Sequence, residues 1–256
     1  MPEVTTSIEG PVCTLTINRE KQRNALSWQV VQDLRGGVDA AGRNPAVRVL
    51  VLTGAGDRAF CAGADLTGMS GGADVTALHD ARGEMAALFE DLWSLGKPTI
   101  ARVRGYALAG GFGLALACDL VVAADDAVFG TPELDVGLWP FMITVPLTRS
   151  MPPKVALELM LTGRRVDAAE ALRIGFVNRV VPPAELDVAV AELAATLAAK
   201  PPEAMRLGRD SFYAVWGRTA DDALRQLHPL LSVVASGEEA AEGIAAFTEK
   251  RPPTWR

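Results

Sequence analysis

Gly105-Tyr106-Ala107-Leu108-Ala109-Gly110-Gly111-Phe112-Gly113, running on into Leu114-Ala115-Leu116-Ala117-Cys118-Asp119, is the stretch on which the fold turns. Glycine and alanine are dense enough here for a ligand, or another segment of chain, to approach the backbone N–H groups closely. Residues 114–117 are apolar on every side and read as a short buried helix. The glycine-dense segment therefore opens a helix, and its amides carry the positive end of the helix dipole. A second small-residue loop, Cys61-Ala62-Gly63-Ala64-Asp65, also follows a buried strand. Two convergent backbone amides are what a developing oxyanion needs. Small residues serve tight strand–helix packing equally well, and composition alone leaves both readings open.

Outward from this centre, residues 99–103 and 120–123 read as strands. Leu78, Met85, Leu88, Phe89, Leu92 and Trp93 mark a helix, which Pro98 ends, and a glycine-rich stretch at 68–72 precedes it. Toward the N-terminus, residues 12–17 alternate as a strand and residues 47–52 form a buried one. Between them Trp28, Val31, Leu34, Val38 and Ala41 make the apolar stripe of a helix, so a right-handed crossover unit is expected. Beyond Pro152 the pattern is helix after helix with little strand signal. Asp167 with Glu170 and Gly175 brackets one helix, and Ser236 with Glu239 reads as the capping box of the last. The expectation is an α/β core over 1–195 and a helical part over 196–256, with no linker between them.

The chain has 256 residues, 49% hydrophobic and 22% charged, which suits a globular domain with a substantial core. A net charge of −6 provides no global attraction for nucleic acid, so a polyanionic ligand must meet a local basic patch. Cys13, Cys61 and Cys118 lack C-x-x-C spacing, which argues against a disulfide framework or zinc site and for a reducing compartment. Neither a signal peptide after Met1-Pro2-Glu3 nor a run of about eighteen apolar residues is found. A soluble cytoplasmic protein is expected, with no membrane partner. His79 and His228 lie on helix-patterned stretches away from any nucleophile, and no metal-ligand spacing occurs. Gly54-Ala55-Gly56-Asp57-Arg58-Ala59 fits a dinucleotide fingerprint, but a small-residue loop follows it where a helix is required.

The order of motifs resembles the crotonase superfamily, the enoyl-CoA hydratase/isomerase family. Asn18-Arg19-Glu20-Lys21-Gln22-Arg23-Asn24-Ala25-Leu26 is similar to its N-R-P-x-x-x-N-A-L turn, and residues 60–66 to its F-x-A-G-A-D-[IL] loop. Residues 105–119 are similar to its G-x-A-x-G-G-G-x-x-L-A-x-x-C-D segment, and Phe129-Gly130-Thr131-Pro132-Glu133 to F-x-x-P-E. Leu161-Thr162-Gly163, residues 168–182, and Phe247-Thr248-Glu249-Lys250-Arg251 resemble the remaining signatures. The resemblance implies a crotonase-like α/β fold of repeated ββα units with a helical C-terminal trimerisation region. It implies an acyl-CoA thioester substrate, with coenzyme A present only as part of that substrate and no permanently bound cofactor. It also implies a homotrimer or a hexamer built as a dimer of trimers. By the same resemblance the amides of Ala64 and Gly110 form an oxyanion hole. Asn24, Ala25, Leu26, Ala62, Asp65, Leu66 and Gly111 border the thioester and its CoA, and Lys21, Arg23 and Lys250 are candidates for its phosphates.

Hydratases of this family carry two glutamates, at positions matching Gly113 and Glu133. Only Glu133 remains, in an apolar stretch with Leu134, Leu138, Trp139, Phe141 and Met142 that should raise its pKa. One carboxylate suffices to move a proton between two carbons, as in the family's Δ3,Δ2-enoyl-CoA isomerases. Two acids are candidates to replace the missing one: Asp135, which shares a face with Glu133 if a strand continues there, and Glu84, on the helix lining the acyl pocket. The expected activity is enoyl-CoA double-bond isomerisation. The alternatives are hydration by a single or substitute acid, or a degenerate acyl-CoA-binding homologue.

Overall fold

A computed structural model describes residues 2–65 and 75–255. Leu66, the 68–72 stretch and the side chain of Leu78 lie outside what is described. Strands β1 (Val4–Glu9) and β2 (Val12–Ile17) form an antiparallel hairpin, and helix α1 (Trp28–Arg43) leads to β3 (Val49–Gly54), parallel to β2. This is the expected crossover. Ser27 caps α1 by accepting from the Val30 amide, and Val30, Val31, Leu34, Val38 and Ala41 are buried. Val30 takes the place in the stripe expected of Trp28, which is only half-buried. Strand β1 has no counterpart among the expected elements, because its mostly exposed Thr, Ser and Glu residues leave no apolar face.

Three strand–strand–helix passages follow. They are β3 with β4 (Ala59–Cys61) and α2 (Val75–Trp93), then β5 (Thr99–Val103) with β6 (Tyr106–Leu108) and α3 (Gly110–Ala117). The third is β7 (Leu120–Ala124) with β8 (Val128–Gly130) and, after a 3-10 turn at Pro132–Val136, α4 (Phe141–Ser150). Then come α5 (Pro153–Thr162), β9 (Arg165–Asp167), α6 (Ala168–Ile174), β10 (Arg179–Val181) and α7 (Leu186–Ala198). Helices α8 (Pro202–Ala214), α9 (Ala220–Ala235) and α10 (Glu238–Glu249) finish the chain. The first strand of each passage joins a sheet ordered β1-β2-β3-β5-β7-β10, and the second joins another ordered β4-β6-β8-β9. This is a mixed α/β fold of ββα units.

The main core includes a ring cluster of Phe112, Phe129 and Phe176, with centroids 5.2–5.4 Å apart. A second core packs Leu186, Ala189, Val190 and Ala194 of α7 on Val49, Val51, Ile100 and Val122. Several expectations shift. Helix α3 starts at Gly110 rather than 114, and α2 ends at Trp93, before Gly96 (φ 72°) and well ahead of Pro98. Strands β9 and β10, three residues each, interrupt the helical half; their ladder partners β8 and β7 are distant in sequence, so local pattern hides them. Asp167 and Gly175 bracket α6 as expected. The capping box does not form: Ser236 ends α9, and Glu239 instead accepts from the Glu203 and Ala204 amides, capping α8.

Helix α8 is fastened to the core by a buried charge. The Arg209 guanidinium donates to Asp119 Oδ2 (2.8 Å), Trp93 O (2.9 Å) and Leu92 O (2.6 Å). Asp119 also accepts from the Thr99 amide and hydroxyl and from the Tyr213 hydroxyl (2.5 Å). Removing one partner of such a pair leaves the other desolvated and uncompensated. Arg209→Met is therefore expected to lower unfolding stability in urea by about 3–5 kcal/mol; a loss too small to resolve from the wild-type curve would count against the latch.

Candidate active site

The site is built on a turn that Asn24 holds in place. Asn24 is fully buried in the left-handed region, where asparagine is tolerated better than most residues. Its amide donates to Ala55 O (2.9 Å) and Ala59 O (2.7 Å), while its Oδ1 accepts from the Arg19 amide (3.0 Å). A Cβ on Gly54 would lie 2.5 Å from that amide nitrogen and 2.2 Å from Phe60 O. The nucleotide-like glycines therefore serve packing, and strand β4 follows them, not a helix. The Asn24 side chain thus fixes the 24–26 turn from within the protein.

The 61–65 loop is laced to this turn residue by residue. Ala62 N donates to Arg23 O (3.0 Å), Leu26 N to Gly63 O (2.8 Å) and Asp65 N to Leu26 O (2.9 Å). Arg19 clamps the edge, pairing with Asp65 (2.8 Å) and Glu3 (3.0 Å) and donating to Ala25 O. Asp65 thus anchors the loop. Ala64, in the middle, is exposed, and its N–H meets no acceptor among the described residues.

The second amide comes from the opposite side. Ala109 adopts φ 50°, ψ −127°, a sparsely populated conformation held by its N–H bond to Gly130 O (2.9 Å). It turns the chain so that Gly110 begins α3, and the Gly110 N–H also lacks an acceptor among the described residues. Gly63 lies against this corner: a Cβ there would come 2.7 Å from the Ala109 methyl and 3.6 Å from Gly110 N. Leu26 and Met85 supply apolar contacts beside Gly110. Gly111 is a packing residue, since a Cβ on it would overlap Cys61 O at 2.3 Å.

Glu133 sits on the 3-10 turn after β8, the strand that carries Gly130. Its Oε2 is buried without a hydrogen-bond partner among the described residues. Burial pushes its pKa up, opposed by its own backbone amide and by the Arg165 charge. A buried, unpartnered carboxylate oxygen is costly unless it has work to do. The apolar neighbours named from sequence are open outward instead, with Leu134, Leu138, Phe141 and Met142 exposed.

Neither substitute acid reaches the site. A 3-10 turn advances a third of a revolution per residue, so Asp135 does not share the Glu133 face; its carboxylate lies near Gly163. Glu84 is paired with Arg35 at 2.6 Å across to α1, alongside Asp91. At Gly113 there is no empty slot. A Cβ there would fall 2.2 Å from Ile143 Cγ2 and 3.1 Å from the Phe89 ring, so α4 and α2 fill that volume with hydrocarbon. The sequence does not announce the pairing of Ile143 with Gly113, because the contact is remote and one apolar residue in a helix carries no signal of its partner. Lys21, Arg23 and Lys250 are exposed and form no ion pair among the described residues.

Two backbone amides without an acceptor among the described residues, on loops that meet where Gly63 lies against Ala109, and a half-buried carboxylate on the turn after β8 are the features this fold brings to the site. The family description "Enoyl-CoA hydratase/isomerase" matches residues 7–256. A crotonyl-CoA hydratase from Syntrophomonas wolfei is 37% identical over 248 residues, covering 95% of this chain and 94% of that one. A carnitinyl-CoA dehydratase from Proteus mirabilis is 36% identical over 252 residues, covering 96% and 95%. The crystal structure of a Mycobacterium smegmatis enoyl-CoA hydratase superposes with a TM-score of 0.96 at 34% identity, over 100% of this chain and 99% of that one. The chain belongs to the enoyl-CoA hydratase/isomerase family of the crotonase superfamily, enzymes that act on CoA thioesters without a permanently bound cofactor.

The Gly113–Ile143 fit can be measured as a coupling. Gly113→Ala alone is expected to destabilise by about 1–3 kcal/mol through overpacking. In an Ile143→Ala background the same change should cost far less. Additive costs across this double-mutant cycle would show that the two positions do not compete for one volume.

Proposed function

We propose that the protein is an enoyl-CoA isomerase that shifts a double bond with Glu133 as its single proton carrier. The observation that carries this reading is the buried, unpartnered Glu133 oxygen, with Ile143 closing the volume at Gly113. In a 3-enoyl thioester, the Glu133 carboxylate takes a proton from C2. The electron pair moves onto the thioester oxygen, which accepts from the Ala64 and Gly110 amides. The dienolate then takes the proton back from Glu133 at C4, leaving a 2-enoyl thioester, so atoms and charge balance and no water enters. An oxyanion donor is worth roughly 10²–10³ in rate and a general base about 10²–10⁴, so the retained groups suffice.

In this reading the turn at 24–26 borders the CoA, and the unpaired Lys21 and Arg23 meet its phosphates. Ala62, Ala64 and Gly110 border the thioester. A homotrimer or a dimer of trimers suits the exposed Leu224, Leu231 and Val233 of α9, a helix with no buried residue in the single chain. Hydration is the second reading, favoured by the names of the relatives; Glu133 alone would then have to activate water beside a hydrocarbon wall.

Glu133→Gln is expected to lower kcat by about 10²–10⁴-fold while leaving thioester affinity unchanged. Turnover of enoyl-CoA followed by stopped assay, with binding of a saturated acyl-CoA by calorimetry, separates the two quantities. Wild-type turnover in this variant would sink the mechanism.

A further inference from the structure

Arg35 of α1 reaches across to α2 and holds two carboxylates at once. Its Nη1 donates to Glu84 Oε2 and its Nε to Asp91 Oδ2, both at 2.6 Å. Glu84 and Asp91 are two helical turns apart and stand on one face of α2. Met85 and Phe89, one turn apart, stand on a neighbouring face, about 100° round from Glu84. That second face meets α3: Met85 Cε lies 3.8 Å from where a Cβ on Gly110 would be, and the Phe89 ring 3.1 Å from one on Gly113. The two halves of α2 are held differently. From Leu88 on, packing fixes the helix, with Leu88, Phe89 and Leu92 in the main core. Ahead of Leu88 every described side chain is half-buried or exposed, and a Cβ on Gly83 would meet nothing. Met85 sits at the edge of the core on this less secured stretch, and its neighbour Glu84 carries the bond back to α1.

We propose that Arg35 is a positioning residue for the acyl group of the substrate: its double ion pair seats the Met85 stretch of α2 beside the Gly110 amide. The inference rests on that amide receiving the thioester oxygen, which brings the acyl chain next to Met85. Arg35 itself touches no ligand. Two half-exposed ion pairs add little to the stability of a whole domain. Here they need only decide between a seated and an unseated first half of one helix. The planar guanidinium fork suits two carboxylates at a fixed spacing, where the point charge of a lysine meets one. The other ion pair of an α1 arginine, Arg43 with Asp39, joins two residues of α1 itself and holds no second helix.

The test is calorimetric binding of coenzyme A and of its saturated octanoyl thioester, neither of which has a double bond to move. Arg35→Met is expected to lower octanoyl-CoA affinity roughly two- to fivefold, in proportion to the molecules left with α2 seated, and to leave CoA affinity unchanged. Arg35→Lys, which can meet one of the two carboxylates, should fall between. Arg43→Met should match the wild type for both ligands. In a Met85→Ala background, where the side chain being seated is gone, adding Arg35→Met should have less effect. Wild-type affinity of Arg35→Met for octanoyl-CoA overturns the proposal. An equal loss for CoA overturns it too, since general damage to the fold gives that result. No turnover is measured, so failure of Glu133 as the base leaves these outcomes standing. If Met85→Ala keeps the full octanoyl-CoA affinity, the acyl chain does not lie beside Gly110, and the proposal falls with that placement.

Discussion

Asn24 is a buried amide with every polar atom engaged, and the shape of the site follows from it. Leaving even one of its partners unsatisfied would cost about 1–3 kcal/mol. The turn is therefore fixed against the β3–β4 connection with little freedom. Residues 62–65 belong to no continuous strand, and their conformation comes from the three backbone bonds and the Arg19–Asp65 pair that tie them to this turn. Ala64 is what remains unbonded. On the other side the strained Ala109 directs Gly110 to the start of α3. Fixed dipoles of this kind need no reorganisation when charge develops on an oxygen, which is why they act strongly in a partly dry site.

The wall opposite decides which chemistry that oxyanion can feed. Water addition needs groups to hold and activate water, and at Gly113 the volume for a polar side chain is filled by Ile143 and Phe89. Glycine there is not a gap but one half of a packing pair. Burial raises the pKa of the Glu133 carboxyl, and in the proposed reaction a proton lifted from carbon has this one carrier to return it. The Glu133 backbone amide opposes that rise, and the Arg165 charge opposes it less.

Much of this was legible in the sequence where the physics is local. The small-residue loops at 61–65 and 105–113 could be read because close backbone approach requires such residues over a short span. The α1 stripe could be read for its helical period, and the bracketing of α6 because its cap and its end lie within a few positions. What escaped depends on distant partners. Glu239 lies three residues after Ser236, yet it bonds to the start of α8, which no local motif announces. Strands β9 and β10 are too short to show a period. Asp135 and Glu84 looked available only because their partners, the turn geometry and Arg35, are invisible in one dimension. The contact of Ile143 with Gly113, which closes a volume beside α3, carries no motif at all. The Asn24 turn could be read as part of the site, but the side-chain bonds that hold it reach residues 55 and 59, which the turn's own sequence does not show.

The proposed mechanism moves a proton between carbons on one carboxylate, with two backbone amides holding the enolate oxygen, and admits no water. Its most direct test is mass-resolved product analysis of the wild-type enzyme on 2-enoyl- and 3-enoyl-CoA thioesters of several chain lengths. The expected result is conversion of a 3-enoyl to a 2-enoyl thioester of the same mass, with negligible product heavier by one water. Efficient formation of the hydrated thioester from 2-enoyl-CoA, with no migration of the double bond, would contradict it.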